Sequence, residues 1–321
     1  MLAIVCPGQG SQTPGFLSPW LELPGVSEHL ESLSAQAGLD LIQHGTTSDE
    51  ETIKDTAVAQ PLIVAAGLVT ARVLLAQRPM NAATVVAGHS VGELTASAIA
   101  GALSEQDAVS FVRVRATAMA EAGAVVPTGM SAILGGDPDD VAAVLSRHGL
   151  TAANSNGGGQ VVAAGTLEQL AALTADPPAK ARVIPLKVAG AFHTHHMSPA
   201  AAALQELRPT LTPLDPVATL LSNFDGSPVV TGDGNLDSLI AQVSRPVRWD
   251  LCMAQMEQMG VTGVVELSPA GTLTGLMKRG MRGTPTLAVK SPEDLDAAVS
   301  FITEHSRTPD PVNSPIAEGH Q

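Results

Sequence analysis

Short apolar runs alternate with longer segments of helical spacing along most of the chain. The run 2–6 is followed by a polar turn at 7–12, and the run 84–87 is followed by a segment with helical apolar spacing. Residues 56–77 also show this spacing, interrupted at Pro61. Apolar runs bounded by turns are typical of buried strands, and strands that alternate with helices predict a parallel sheet. The pattern therefore predicts an α/β protein.

A different order of elements begins near Gly129. Strands become more frequent there, and the order β-α-β-β-α-β is the signature of a ferredoxin-like domain. We therefore expect a small ferredoxin-like domain at 127–193, inserted into a large domain formed by 1–126 and 194–305. The predicted elements of the small domain are strand 130–134, a helix after Asp137, strands 150–153 and 160–164, a helix after Thr166, and strand 181–186.

The last third of the chain returns to the first pattern. Residues 306–321 contain three prolines and little apolar content. We expect a disordered tail there, because such a segment cannot bury enough apolar surface to offset the entropy lost on ordering. After a helix near Ser198, the predicted elements are strand 217–222, helix 250–259, strand 262–267, helix 272–279, strand 284–289 and helix 292–304.

Composition and charge narrow the class of protein. The net charge is −14, and an acidic chain repels phosphate backbones and anionic lipids, which argues against nucleic-acid and membrane-surface binding. Cys6 and Cys252 are too few and too far apart to suggest a zinc site or a disulfide framework. No apolar run approaches the ~20 residues of a membrane helix, and the N-terminus lacks a charged leader. We expect a cytoplasmic monomer.

The segment 88–92 reads Gly-His-Ser-Val-Gly, directly after an apolar run. This G-x-S-x-G pattern between a strand and a helix predicts a nucleophile elbow with Ser90 as covalent catalyst of acyl transfer. A serine hydroxyl needs a base, and nine histidines are available. We favour His193, because it lies at the junction of the predicted domains, where clefts are common. His89 is expected to form a wall or support instead, since neighbouring side chains on an elbow diverge.

Two other kinds of site were considered for these segments. The close histidines at 193, 195 and 196 could share a metal ion, but no convincing carboxylate or cysteine stands beside them, so we predict no metal. Gly8-Gln9-Gly10 could belong to a nucleotide-binding loop, but Thr13 replaces the third glycine of that motif and no glycine-lysine follows.

Six features in order resemble the malonyl-CoA:acyl carrier protein transacylases, and the resemblance extends from the first strand to about residue 305. In that family an α/β-hydrolase-like large domain carries a ferredoxin-like insert, which agrees with the element order above. The features are PGQGSQ at 7–12, GHSVGE at 88–93, Arg115, NSNGGGQVVAAG at 154–165, GAFH at 190–193 and SPAGTLTGLMKR at 268–279.

The resemblance implies roles for the catalytic groups. Ser90 would be the acylated nucleophile and His193 its base, while the backbone N–H groups of Gln9 and Val91 would form the oxyanion hole. The main-chain carbonyl of Gln242 would orient His193. A hydrolase would instead place an acid between serine and histidine in the chain. Asp137, Asp139 and Asp140 fall in that interval, at a helix start where capping is the expected task.

The resemblance also implies a substrate. Arg115 would bind the free carboxylate of malonyl, because a guanidinium forms bidentate, charge-assisted bonds that lysine does not reproduce. Arg113 is expected to be an ordinary solvated arginine. Four further residues would contribute to the pocket, with core filling as the simpler alternative for the methionine and turn formation for the two asparagines. They are Met119 as a wall, Asn154 and Asn156 on a loop near the ligand, and Phe192, whose bulk would crowd an α-methyl branch.

The implied reaction transfers malonyl from malonyl-CoA to the phosphopantetheine thiol of acyl carrier protein, by a ping-pong mechanism without a cofactor. Residues 241–290 carry six basic and three acidic side chains, and an acidic carrier protein is expected to dock partly there. A serine esterase or thioesterase shares the elbow and the base, but it would not need Arg115.

Overall fold

A computed structural model describes residues 1–81, 83–188 and 190–306. Apart from Ser306, the tail expected to be disordered lies outside the described residues. The strands are β1 Leu2–Cys6, β2 Val85–Gly88, β3 Thr128–Gly135, β4 Thr151–Gly157, β5 Gln160–Thr166, β6 Ala181–Pro185, β7 Thr219–Leu221, β8 Val247–Arg248, β9 Gly263–Glu266 and β10 Thr286–Ala288. The helices are α1 Val26–Ala37, α2 Leu41–Thr46, α3 Thr56–Gln77, α4 Gly92–Ile99, α5 Glu105–Val125, α6 Pro138–Arg147, α7 Leu167–Ala175, α8 Ser198–Leu207, α9 Gly232–Gln242, α10 Trp249–Gln258, α11 Thr272–Gly280 and α12 Leu295–His305.

The large sheet has five parallel strands in the order β10-β9-β1-β2-β7. The interior strands β1 and β2 are buried at every position, which explains why they read as continuous apolar runs. Ile4 packs in one apolar cluster with residues of α3, whereas Val5 packs in another with Trp249 and Met256. Both faces of the sheet are therefore covered by helices, and the predicted α/β fold with a parallel sheet is confirmed.

The small sheet has the order β6-β3-β5-β4-β8. Its first four strands pair antiparallel and come from one continuous segment with α6 and α7 between them. The fifth strand, β8, pairs parallel to β4 and comes from outside the segment 127–193 predicted to be a separate domain. Strand β8 has only two residues, which are too few for a periodic pattern. The sequence therefore does not show that a segment outside 127–193 adds a strand to the small sheet.

Helix α3 differs from the predicted pattern in two ways. It continues through Pro61 from Thr56 to Gln77, because burial on almost all sides compensates for the hydrogen bond that proline lacks. Its length and composition would also allow a membrane span, contrary to the expectation that no stretch approaches that length. Most of its apolar window is buried inside the protein, as in the core helix of a globular fold.

The remaining predicted elements are present, with some ends displaced by one to four residues. Helices α1, α2 and α9 are not among the predicted elements. The first residues of α9 are Gly-Asp-Gly-Asn, a composition that favours turns, but Thr231 caps the helix by accepting a hydrogen bond from Gly234. This omission matters, since α9 ends at Gln242.

Candidate active site

Ser90 lies on a sharp turn between β2 and α4, at the carboxyl edge of the parallel sheet. Its φ of 54° is in the left-handed region that non-glycine residues rarely adopt. The flanking glycines allow this turn, because a Cβ on Gly88 would collide with the carbonyl carbon of Gly92 and a Cβ on Gly92 would collide with the carbonyl oxygen of Cys6. The predicted elbow geometry is therefore present.

The serine hydroxyl is paired with a histidine from a distant part of the chain. Ser90 Oγ lies 2.7 Å from His193 Nε2, and His193 Nδ1 lies 2.8 Å from the carbonyl oxygen of Gln242. A carbonyl oxygen only accepts, so Nδ1 carries the proton and Nε2 offers its lone pair to the serine. The structure thus brings together the predicted nucleophile, base and orienting carbonyl.

The imidazole of His193 is held in its neutral form. Burial, and secondarily the positive charge of Arg115, lower the pKa of His193 to about 3, although the hydrogen bond to Gln242 acts in the opposite direction. A neutral imidazole can accept the serine proton at any physiological pH.

Arg115 lies on α5 and is buried with its guanidinium directed at the nucleophile. Its Nη2 donates to Ser90 Oγ at 3.2 Å and to Gln242 Oε1 at 2.8 Å, and its Nη1 donates to Gln60 Oε1. Burial lowers the pKa of Arg115 to about 10, so it remains a cation at neutral pH. Arg113 is exposed on the same helix, as predicted.

These side chains line a cleft of about 350 Å³. The neighbouring wall comes from the small sheet and from α11. Gln242 lies behind the histidine and does not line the cleft. Ten of the predicted site residues do: Gln9, His89, Ser90, Val91, Arg115, Met119, Asn154, Asn156, Phe192 and His193.

Known proteins of one family match almost the whole chain. The family described as acyl transferase domain matches residues 3–304. The malonyl CoA-acyl carrier protein transacylase of Mycobacterium tuberculosis strain H37Rv is 53% identical over 298 residues, which are 92% of this chain and 98% of that protein. The protein of the same name from Escherichia coli K12 is 33% identical, over 93% of this chain and 99% of that protein. The chain belongs to the malonyl-CoA:acyl carrier protein transacylase family.

Solved structures of transacylases agree with this assignment. The crystal structure of MCAT from Mycobacterium tuberculosis superposes with a TM-score of 0.90 at 51% identity, covering 93% of this chain and 99% of that chain. The acyl-carrier-protein-S-malonyltransferase from Bartonella henselae gives a TM-score of 0.88 at 29% identity, covering 94% and 99%. The family predicted from the ordered motifs is confirmed.

In this transacylase the histidine next to Ser90 faces away from the serine. His89 Nε2 lies 2.9 Å from Asn156 Oδ1, and the imidazole meets the ring of Trp249 edge-on at 5.7 Å. Burial lowers the pKa of His89 as well. The residue joins the elbow to β4 of the small sheet, which fits the expectation of a wall or support.

Two backbone N–H groups at the cleft are available to donate hydrogen bonds to an oxyanion. Within the described part of the chain, the N–H groups of Gln9 and Val91 have no hydrogen-bond acceptor. The N–H of Ser90, by contrast, donates to Asn223 Oδ1 at 2.7 Å. The donor that follows the nucleophile is therefore available, and the donor of the nucleophile itself is not.

A buried polar network behind the elbow is absent from the sequence predictions. The carboxylate of Glu93 accepts hydrogen bonds from Asn223 N at 2.6 Å and from Gln242 Nε2, which also donates to the carbonyl oxygen of Ser90 at 3.0 Å. Burial raises the pKa of Glu93 to about 7, and these hydrogen bonds oppose the shift. Two local signals exist in the sequence. One is Glu93, the last residue of the motif at 88–93, and the other is Gln60, a polar residue on the apolar helix predicted at 56–77, which accepts from Arg115. Neither signal identifies the residue to which the side chain is bonded.

The sequence also suggested two other arrangements, an aspartate as partner of His193 and a metal ion at the close histidines. Asp137 accepts hydrogen bonds from the N–H groups of Asp139 and Asp140 and so caps α6, as expected. The Nδ1 of His193 is bonded to the Gln242 carbonyl and not to a carboxylate. His195 and His196 stack on each other at 4.1 Å. Among residues 1–81, 83–188 and 190–306, no group of three His, Cys, Asp or Glu side chains is arranged to hold a metal ion.

Proposed function

We propose that this enzyme transfers the malonyl group of malonyl-CoA to the phosphopantetheine thiol of acyl carrier protein, through a malonyl ester of Ser90. It is an S-malonyltransferase that supplies fatty acid or polyketide synthesis. One observation carries the proposal: the Ser90 hydroxyl lies between a neutral imidazole at 2.7 Å and a buried guanidinium at 3.2 Å. The first group activates an acyl acceptor, and the second selects an acyl donor that is itself an anion.

The first half-reaction loads the enzyme. His193 Nε2 takes the hydroxyl proton as Ser90 Oγ attacks the thioester carbonyl, and the tetrahedral oxyanion accepts hydrogen bonds from the N–H groups of Gln9 and Val91. The intermediate collapses when the C–S bond breaks, and the thiolate of CoA leaves with the proton held by His193. The Gln242 carbonyl keeps the imidazole in the required tautomer throughout.

The second half-reaction runs in reverse with a different thiol. The phosphopantetheine thiol of carrier protein gives its proton to His193 and attacks the malonyl ester, and Ser90 leaves as an alcohol after regaining that proton. The two substrates therefore use one site in turn, which is ping-pong kinetics.

The position of Arg115 suits a short dicarboxylic acyl group. Only one methylene separates the two carbonyl carbons of malonyl, so the cation that binds the carboxylate must lie within a few ångströms of the nucleophile. The guanidinium is satisfied by the neutral oxygens of Gln60 and Gln242, which a carboxylate would displace in part. Met119, Phe192, Asn154 and Asn156 would shape the rest of the acyl pocket.

We also propose a domain organisation, a location in the cell and a docking region for this enzyme. We assign 1–126 and 194–305 to an α/β-hydrolase-like domain and 127–193 to a ferredoxin-like domain, supported by the parallel sheet and by the order β6-β3-β5-β4 of the antiparallel strands. We further propose a cytoplasmic monomer that needs no cofactor and binds neither nucleic acid nor membrane. Carrier protein would dock beside Arg279, which lines the cleft, and near the exposed Arg282.

The decisive experiment separates transfer from hydrolysis. The purified enzyme is incubated with malonyl-CoA, its intact mass is measured, and carrier protein bearing phosphopantetheine is then added. A transferase gains one malonyl group at Ser90 and loses it to carrier protein. A hydrolase would release malonate at a rate independent of carrier protein, and that result would refute the proposal. Carrier protein without phosphopantetheine is the matched control.

A further inference from the structure

The segment that follows β7 contacts the nucleophile elbow through Asn223. This strand lies beside β2 in the parallel sheet, with Leu221 in register with Ala87. Asn223 follows β7 by two residues, in a tight turn closed by hydrogen bonds from Gly226 N to Ser222 O at 2.9 Å and from Ser222 N to Ser227 O at 3.0 Å. The residue is fully buried, and its position is set by its own turn.

The carboxamide of Asn223 contacts the elbow on both sides of His89. Its Nδ2 donates to the carbonyl oxygen of Gly88 at 2.6 Å, and its Oδ1 accepts from the N–H of Ser90 at 2.7 Å. Its main-chain N–H donates to the carboxylate of Glu93, in the first turn of α4. One side chain thus connects the last residue of β2 to the nucleophile.

We propose that Asn223 is a positioning residue for Ser90. A serine at φ 54° persists only where its surroundings hold it there. The two hydrogen bonds of the Asn223 carboxamide hold Gly88 and Ser90, the residues on either side of His89. By occupying the N–H of Ser90, the carboxamide also leaves the N–H of Val91 as the donor directed into the cleft. This inference rests on the proposed function, because it takes Ser90 to be the nucleophile.

The arrangement requires a group that donates and accepts at the same time. In an Asn223→Asp variant the ionised carboxylate can accept from Ser90, but it repels the carbonyl oxygen of Gly88, whereas the protonated acid regains the missing donor. Burial and the neighbouring Glu93 would raise the pKa of that carboxyl. The other titratable groups nearby are the Cys252 thiol, 3.7 Å from Nδ2, His89 between the two bonded residues, Arg115, whose charge acts on Glu93, and His193, which is bonded to Ser90 Oγ. Asp225 and Asp250 act on Cys252 from the other side. The neutral state of His193 keeps the base competent over the pH range of the test.

The test compares Asn223→Asp and Asn223→Ala with matched variants of Asn235. Asn235 is also buried, and its Nδ2 donates to Ser97 Oγ at 3.0 Å on the same helix α4, away from the elbow. The rate of acylation of Ser90 is measured by rapid quench and mass spectrometry between pH 5.5 and 8.5, together with kcat, KM for malonyl-CoA and Tm. The peptide that carries the malonyl group identifies the acylated residue.

Both Asn223 variants should lose about 10²-fold in acylation rate at pH 8, with KM changed much less, because misplacement of a reacting atom by about 1 Å has that effect. The aspartate variant should recover by about tenfold or more at pH 5.5, and the alanine variant should not. The Asn235 variants should keep the wild-type acylation rate even where Tm falls equally.

Three results would overturn the inference. These are wild-type acylation by the Asn223 variants at pH 8, a loss in the aspartate variant that is the same at pH 5.5, and an equal loss in the Asn235 variants. A wild-type enzyme that is never acylated at Ser90 would reject the proposed function and this inference with it. Acylated wild type with unimpaired Asn223 variants would reject this inference alone.

Discussion

The two sheets contribute different chemistry to one cleft. The groups that carry charge or move a proton are held by the large-sheet region. Ser90 follows β2 and Arg115 lies on α5, while His193, the last residue of the segment 127–193, is oriented by the carbonyl of Gln242 at the end of α9. The cleft-lining residues on the strands and turn of the small sheet are all uncharged: Met130, Asn154, Asn156, Gln160 and Val162. One region is therefore built for reaction and the other for shape. Changes in the first should cost orders of magnitude in rate, and changes in the second should alter substrate preference.

The largest effect is expected in the large-sheet region at the nucleophile. Ser90→Ala removes the acyl acceptor and should lower kcat by roughly 10⁴ to 10⁶, with no malonyl adduct in the intact mass. Turnover that persists with a malonyl adduct elsewhere would move the reaction to another residue and end the contrast between the sheets.

A smaller effect is expected at the cation. Arg115→Ala should lower kcat/KM for malonyl-CoA by about 10² and abolish the preference for malonyl-CoA over acetyl-CoA, because a charge-assisted bond to the carboxylate is lost. Arg113→Ala, on the same helix but exposed, is the control and should leave both quantities unchanged. Preserved selectivity in the Arg115 variant would mean that another group binds the carboxylate.

A substitution on the small-sheet side of the cleft should alter the preference between acyl-CoA substrates and leave malonyl transfer nearly unchanged. Phe192 lies at the end of the connection from β6 and lines the cleft. Phe192→Ser should raise kcat/KM for methylmalonyl-CoA by about tenfold, since relieving one methyl clash is worth about 1 to 3 kcal/mol. The value for malonyl-CoA should stay within about threefold. A loss of malonyl transfer comparable to that of Arg115→Ala would contradict the division of tasks.

The smallest expected effect concerns pH. Because the pKa of His193 lies near 3, kcat/KM for malonyl-CoA should change by less than about twofold between pH 8 and pH 5.5, whereas a solvated imidazole would lose about tenfold. An acid limb near pH 6.5 would show that the base is exposed to water.

The same shift has a consequence for stability. The unfolded chain binds a proton at His193 near pH 6.5 and the folded chain only near pH 3, so this group's contribution is complete above pH 6.5 and is lost as pH falls toward 3. The drop in Tm between pH 7.5 and pH 5 should be smaller in His193→Gln than in the wild type. His195→Gln, an exposed neighbour, should behave as the wild type does.

The family, the parallel sheet and the elbow were predictable because each depends on residues close together in the chain. Strand β1 reads as an apolar run since it is buried on both faces, and Ser90 is marked by two glycines within two residues of it. The motif order then indicated His193 and Arg115, whose spacing in the sequence carries no geometric information. For His193 the junction of the predicted domains supplied the first argument and the resemblance supported it, whereas for Arg115 the resemblance alone supplied the prediction.

Other features depend on contacts between distant segments. β8 exists only because it meets β4, and α3 continues through Pro61 only because its surroundings bury it. The Glu93–Asn223–Gln242 network joins residues up to 149 positions apart, and a buried amide has no local signature that names its partner.

By itself the sequence determined most of the strands and helices, where the backbone must turn sharply, and which residue types are available for acyl transfer, because these depend on periodicity and on local steric limits. Only the tertiary structure decided which carboxamides hold the elbow, which carbonyl orients the base and how far the cation lies from the nucleophile. Those distances arise when parallel strands place their carboxyl ends side by side and burial removes the competing water.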